Sequence, residues 1–384
     1  MNLELSDEQI FLRDAAKDAL SRTNTVEAAR ATLDGGERPD LWPTAVEAGW
    51  TGLLVSEEHG GAGLGAFDAM LVMQEVGRRI AGIELLGHLP ASALLDAAGH
   101  ESVQEVAAGT RRAAFVGAQP PGDLDDGWTV DAVNGMVRAP APAFDGSVVT
   151  GEAAWVVDAP GADLFVVVAL QDGAPVAVVV EDAQVEEAVR YDPTRRLGHV
   201  RFDGAAGTAL AVDAAQIERA WYLAQALLAA ESVGAVETCL QMAVQYAKER
   251  FTFGRPIGSY QAVKHGLVEI MRRGENAKSL LYYAGWAYES GQDEFPLAAS
   301  AARSAGGDAL DYAARENIAV HGGIGATWEH DAPLFFRRAQ LSRRLLGGAG
   351  AATDRVAGEV LRGGDPGGAQ ADQRAAAAAT AVDA

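Results

Sequence analysis

Apolar positions across residues 6–112 recur at the three-to-four-residue spacing of amphipathic helices, and Ser6-Asp7-Glu8-Gln9 forms an N-cap signature ahead of Ile10 and Phe11. Between residues 113 and 213 the texture changes. Short Val-rich runs such as Ala154-Trp155-Val156-Val157 and Leu164-Phe165-Val166-Val167-Val168-Ala169 alternate with Gly, Pro and Asp, which predicts strands and turns. Long Ala/Leu-rich helical patterns return over residues 214–362. From Gly363 onward Gly, Ala, Gln and Asp leave little to bury, and residues 363–384 are expected to be a disordered tail. The pattern therefore predicts an α+β chain: a helical domain (1–112), a β domain (113–213) and a second helical domain (214–362).

Composition narrows the function. A chain of 384 residues with 49% hydrophobic content can bury cores for two or three domains. No apolar run approaches a membrane span, and the acidic start Met1-Asn2-Leu3-Glu4-Leu5-Ser6-Asp7-Glu8 is unlike a signal peptide, so a cytoplasmic protein is expected. Cys239 is the single cysteine, which excludes an intrachain disulfide and a Cys-based zinc site; its apolar helical surroundings predict a packed, inert thiol. A net charge of −22 is opposite to a nucleic-acid footprint, so an anionic ligand has to be bound locally, against the global field. Gly61-Ala62-Gly63-Leu64-Gly65 has neither a leading parallel-strand run nor a following Lys-Ser/Thr pair, and is read as a turn. His321 and His330 lack metal spacing and carboxylate partners, which leaves a structural or hydrogen-bonding role and no metal site.

One segment carries more specific chemistry. Arg250-Phe251-Thr252-Phe253-Gly254-Arg255-Pro256-Ile257-Gly258-Ser259-Tyr260-Gln261 joins two helical patterns through a Gly-Pro turn. Arg250 offers a planar fork of donors suited to a pyrophosphate, and the turn presents Phe253 and Gln261 beside it. From composition alone, the competing reading is a helical hairpin with a surface arginine.

The segment resembles the R-x-x-F-G-x-P-I-x-x-x-Q signature of the acyl-CoA dehydrogenase family. The similarity continues in family order through Leu41-Trp42, Ala48-Gly49-Trp50-Thr51-Gly52-Leu53, Glu57-Glu58-His59-Gly60-Gly61-Ala62-Gly63-Leu64 and Gln74-Glu75-Val76-Gly77-Arg78. It resumes at His321-Gly322-Gly323-Ile324-Gly325-Ala326-Thr327-Trp328-Glu329-His330-Asp331, so it covers about residues 1 to 362. The resemblance implies an N-terminal helical domain, a central β-barrel or sandwich and a C-terminal four-helix bundle. It also implies FAD as cofactor, held partly in trans: Arg250, Thr252, Phe253, Gln261, Gly322 and Gly323 fall on positions that reach a neighbouring subunit's FAD.

The family's α,β-dehydrogenation of an acyl-CoA needs a carboxylate base in a dry pocket. The two family positions for that Glu align with Gly347, within Leu345-Leu346-Gly347-Gly348-Ala349-Gly350, and with Ala224. Neither can accept a proton. The flavin-ring loop T-E-x-x-A-G-S-D aligns with Ala114-Phe115-Val116-Gly117-Ala118-Gln119-Pro120-Pro121-Gly122-Asp123-Leu124, without its Thr-Glu or Gly-Ser-Asp. Gly151-Glu152-Ala153-Ala154-Trp155-Val156-Val157 resembles the strand behind the flavin but lacks its Lys and Thr or Ser, and Ala319 replaces a Gln ahead of the two glycines.

The trans elements are largely kept while the elements acting within the chain are lost. This implies a non-catalytic subunit of a heterotetrameric α2β2 dehydrogenase, similar to those actinobacteria use on steroid side chains, with no catalytic residue of its own. The homologous partner supplies the base and most of the acyl-CoA site, and electron-transfer flavoprotein is the expected acceptor. Two alternatives remain open at this point: a homo-oligomeric dehydrogenase whose base is displaced to Glu231, and a scaffold of the same fold that holds no FAD.

Overall fold

The computed structural model describes residues 4–120, 127–130, 138–188 and 191–363. Pro121 to Leu124 of the flavin-loop alignment, and the expected tail from residue 364, lie outside the described residues. The architecture is α+β, with an N-terminal helical domain, a central β-sheet domain and a C-terminal helical bundle. The N-terminal helices are α1 (Asp7–Ser21), α2 (Thr25–Leu33), α3 (Trp42–Glu47), α4 (Ala66–Arg78), α5 (Leu85–Ala98) and α6 (Val103–Ala107). Ser6 caps α1 as its sequence predicts: its hydroxyl accepts from Gln9 N, and the Gln9 side-chain oxygen accepts from Ser6 N. The 61–65 segment is a turn ahead of α4, hydrogen-bonded back to Gly52, Leu53, Val55 and Ser56.

The strands are β1 (Ala113–Val116), β2 (Thr129–Val130), β3 (Arg138–Ala139), β4 (Ala143–Phe144), β5 (Val148–Val157), β6 (Leu164–Gln171), β7 (Ala174–Val180), β8 (Gln184–Glu187) and β9 (Leu197–Ala209). Six of them follow the order β1-β6-β4-β5-β9-β7, β8 adds to β9, and β7 returns to pair with β6. That last pairing closes the sheet into a barrel. Strand β6 is buried from Leu164 to Ala169 because the barrel interior takes one face and helices cover the other, which explains its unbroken apolar run.

The bundle is built on α7 (Ala214–Glu249), α8 (Gln261–Glu289) and α9 (Phe295–His321), with α10 (Ala332–Ser342) and α11 (Gly348–Gly363) packed on α9. A two-stranded hairpin, β10 (Phe251–Thr252) and β11 (Arg255–Pro256), links α7 to α8. Among the described helices α7 alone is long and apolar enough to cross a membrane, and 67% of its apolar window is buried inside the protein. It is the core helix. Its contact with α4 is backbone to backbone: a Cβ on Gly234 would lie 1.8 Å from Gln74 O, and one on Gly77 would lie 1.9 Å from Glu231 O. Cys239, on α7, is fully buried, and that burial pushes its thiol up to about 12, as expected of a packed cysteine.

A buried charge cluster joins the three regions. Arg338 of α10 reaches Asp192 at 2.7 Å and also pairs with Glu231 of α7, and Arg195 meets the same Glu231 at 2.5 Å. Arg338 also donates to the Thr194 hydroxyl. Alongside, Arg38 holds Glu84 at 2.6 Å, and the buried Asp158 accepts from Gly87 N at 2.8 Å. Burial, reinforced by the nearby Glu84 carboxylate, pushes the Asp158 carboxyl up to about 7.

That shift has a defined sign. Between about pH 4 and pH 7 the folded protein keeps the Asp158 proton while the unfolded chain releases it, so this group's contribution to stability falls as pH rises and levels off above about 7. Asp158→Asn keeps the acceptor for Gly87 N, and Asn tolerates the left-handed backbone there (φ 62°). The variant is expected to gain stability over the parent from pH 5 to pH 8, by an amount on the order of a few kcal/mol. Urea midpoints at the two pH values test it; a difference that does not change with pH contradicts the assignment.

Candidate functional site

The Arg250 segment is held rigidly and faces outward. Helix α7 ends at Glu249; Arg250 turns extended (φ −80°, ψ 121°) while its N–H still donates to Tyr246 O at 2.8 Å. The hairpin register pairs Phe251 with Pro256 and Thr252 with Arg255, so Phe253 and Gly254 form a two-residue turn. Both have positive φ, 48° and 77°, the mirror-type turn that matches strand twist. For a Phe this conformation is strained by about 1–3 kcal/mol. Yet its ring buries nothing in this chain: Phe253 is 94% exposed.

Three contacts fix the hairpin: Ile257 N donates to Arg250 O at 2.7 Å, the Tyr260 hydroxyl donates to Thr252 O at 3.2 Å, and the Arg255 guanidinium lies 4.0 Å over the Tyr260 ring. Arg250, Thr252 and Gln261, the first residue of α8, are exposed.

The second predicted segment comes to the same end of the bundle. The Tyr246 ring lies 4.4 Å from the His321 ring, which in turn lies 4.1 Å from His330. His321 Nδ1 pairs with Asn317 O at 2.7 Å, so the histidines pack the junction. Gly322 follows at φ 64°, ψ −139°, a backbone region open essentially to Gly alone. Gly323 is different. A Cβ there would meet nothing within 4 Å in this chain, so any need for bare backbone at that position comes from outside it.

Elsewhere, a cavity of about 730 Å³ opens between the barrel and the C-terminal helices. Its walls include Phe115, Trp128, Val156, Leu197, Phe336 and Leu345, and Gly117 to Gln119 meet Gly347 in the lining. None of the six predicted cofactor residues lines it, and no Asp or Glu does among the described residues. Gly347 has φ 77° between Leu346 (50°) and Gly348 (85°), and an added Cβ would lie 2.8 Å from the Gln119 side-chain oxygen. Trp155 enters the wall from a β-bulge: Ala153 pairs with Val200 and Val156 with Gly198, leaving Ala154 and Trp155 opposite His199, with Trp155 at φ 61°.

The pattern of strands and turns gave no sign of the bulge or of Gln119 lying across Gly347. Ala224 and Glu231 are buried on α7 outside the cavity's lining. Glu231 is bound by both Arg195 and Arg338 within the buried ion-pair cluster.

Comparison with known proteins matches residues 6–106 to the acyl-CoA dehydrogenase N-terminal domain and residues 207–361 to the acyl-CoA dehydrogenase C-terminal domain. The acyl-CoA dehydrogenase IpdE2 of Mycobacterium tuberculosis is 34% identical over 346 residues, covering 88% of this chain and 93% of that protein. The chain belongs to the acyl-CoA dehydrogenase family. IpdE2 of Mycolicibacterium smegmatis is 32% identical, over 89% of this chain and 96% of its own length. Among solved structures, the Tcur3481-Tcur3483 steroid acyl-CoA dehydrogenase G363A variant superposes with a TM-score of 0.81 at 26% identity, covering 93% of this chain and 99% of that one. The fold is the one that FAD-binding members of the family share.

Gly347 lies in a tight left-handed turn packed against Gln119. Gly347→Ala is expected to lower stability by about 1–2 kcal/mol, through the left-handed backbone and the contact with Gln119. Gly347→Ala/Gln119→Ala should recover the steric part only. Urea denaturation of both variants measures this, and an unchanged midpoint for the single variant would show that the turn relaxes freely.

Proposed function

We propose that this chain is the non-catalytic subunit of an FAD-dependent, α2β2 acyl-CoA dehydrogenase that introduces a double bond into a bulky, steroid-derived acyl-CoA. The observation that carries it is the pairing of an exposed, strained hairpin with a cavity that no carboxylate lines among the described residues. A hairpin that spends strain to hold Phe253 in water makes physical sense when a second molecule covers it. Arg250 fits the pyrophosphate of FAD carried by the partner: its guanidinium is exposed, and its backbone is pinned by Tyr246 and Ile257. Phe253, Thr252 and Gln261 flank it, and Gly322-Gly323 gives bare backbone for a close approach.

FAD, when bound, supplies the acceptor for the hydride leaving the acyl β-carbon. This chain's residues hold and orient that cofactor from outside, while the homologous partner contributes the base that takes the α-proton. Electron-transfer flavoprotein is the acceptor this reading expects, in the cytoplasm. The steroid class rests on the 26%-identical paired dehydrogenase, whose name couples two chains and a steroid, together with the resemblance of the sequence to that branch.

Two outcomes follow. The chain purified alone is expected to carry little FAD, and the co-expressed complex to be yellow with about one FAD per αβ pair. Flavin absorbance and native mass read both, and a homo-oligomer with stoichiometric FAD defeats the reading.

In the complex, Arg250→Ala should weaken FAD retention by about 1.5–3 kcal/mol, with Arg250→Lys restoring part. Gly323→Ala should likewise lower FAD retention while leaving the isolated chain's urea midpoint unchanged, because its Cβ meets nothing within the chain. Flavin release on dilution checks both, and full occupancy in both Ala variants would reduce the segment to solvated surface.

A further inference from the structure

No Asp or Glu lines the cavity among the described residues, yet it has the construction of a binding site. Two backbone segments with positive φ line it: the bulge that carries Trp155 (φ 61°), and Leu346-Gly347, which with Gly348 makes three consecutive positive φ angles. Strain of this kind persists where the surroundings over-determine it, and it clusters at ligand sites. The second segment is supported from below, since the fully buried Arg303 guanidinium donates to Ser342 O at 2.5 Å and to Leu345 O at 3.4 Å. On the barrel side, Trp128 is buried in the wall and its indole N–H has no hydrogen-bond partner among the described residues. An unsatisfied buried donor costs about 1–3 kcal/mol, a cost that an acceptor on a ligand would remove.

The lining defines the chemistry of that ligand. Most of the wall is aliphatic or aromatic, and a volume near 730 Å³ suits a bulky body rather than an ion. Among the described residues the charged groups of the lining are both cations, Arg138 and Arg344, exposed at its edge, in a chain whose net charge is −22. Arg344 Nη1 donates to Gln340 O and Arg138 Nη1 to Gly127 O, which leaves each guanidinium further donors. Gln119 occupies the space over Gly347, so the cavity has been reshaped at the point where a proton acceptor would reach a substrate.

We infer that this cavity is a non-reacting binding site for a bulky apolar carboxylate, whose body packs against Phe115, Val156, Leu197 and Phe336 while Arg138, Arg344 and the Trp128 N–H hold its oxygens. The inference goes beyond the subunit reading and does not require it, since it concerns a cavity contained within this chain. No bond is made or broken there.

Isothermal titration of the full chain with sodium cholate, with cholic acid methyl ester and with FAD tests the assignment. Cholate is expected to bind with one site per chain. Arg138→Ala/Arg344→Ala should weaken it about tenfold or more, and Trp128→Phe should weaken it by a smaller factor. The methyl ester should bind the parent more weakly than cholate and should not distinguish the parent from the double arginine variant. The two arginines are exposed, so circular dichroism should show the double variant folded. Equal cholate affinity in parent and double variant overturns the inference, as does the absence of any cholate binding. Flavin absorbance of the same samples separates the two readings. Stoichiometric FAD that excludes cholate would make the cavity a flavin site and sink both, whereas absence of both ligands would sink this inference alone.

Discussion

Everything in the molecule is positioned by the buried ionic contacts where the three regions meet. Arg38, Arg195 and Arg338 face Glu84, Glu231, Asp192 and Asp158, three cations against four carboxyls. The excess is resolved by a proton. With its carboxyl pushed up to about 7, Asp158 is largely neutral in mildly acid solution, and the remaining charges then balance. A buried ion pair adds little net stability over well-packed apolar groups, but losing one member costs about 3–5 kcal/mol because its partner stays buried and uncompensated. The cluster therefore acts as a lock on relative placement. Glu231 belongs to the helix that packs backbone to backbone on α4, and Arg338 belongs to the helix that leads into the Leu345–Gly348 turn. The wall of the cavity is thus set by the same contacts that seat the N-terminal helices.

A second constraint extends from that lock. Arg303 is buried without a carboxylate partner among the described residues, and burial beside other guanidinium groups pulls it down to about 9. A cation so placed is tolerated because it donates to the carbonyls that end α10 and begin the strained turn. The cavity is therefore rigid on its helical side for an electrostatic reason, and on its barrel side because the bulge at Trp155 is fixed by pairing on both flanks.

The sequence exposed much of this plan because the relevant signals were local. Helical spacing, the Val-rich runs, the Ser6 cap and the turn at 61–65 depend on neighbours within a few residues, and each is present. The Arg250 segment was legible for the same reason: its turn residues and its outward side chains follow from twelve consecutive positions. Long-range contacts were not legible. Gln119 meets Gly347 across more than two hundred residues, the bulge exists only relative to His199, and Glu231 became an ion-pair residue because Arg195 and Arg338 arrive from distant parts of the chain. A carboxylate on an apolar helix face is consistent with either a base or a buried pair, and only the partners decide.

The two strained regions are supported differently. Phe253 is strained outward at the hairpin tip with its ring in water, whereas Trp155 at the cavity wall packs edge-on against the His199 ring, 4.2 Å away, and Leu346 is strained in the turn beside Gly347. The backbone at Gly347 sits at φ 77°, where only Gly is unstrained, and Gln119 stands in the space a longer side chain would need. A carboxylate placed there would meet both the left-handed turn and the Gln119 side chain, while the cavity around them, about 730 Å³, stays open.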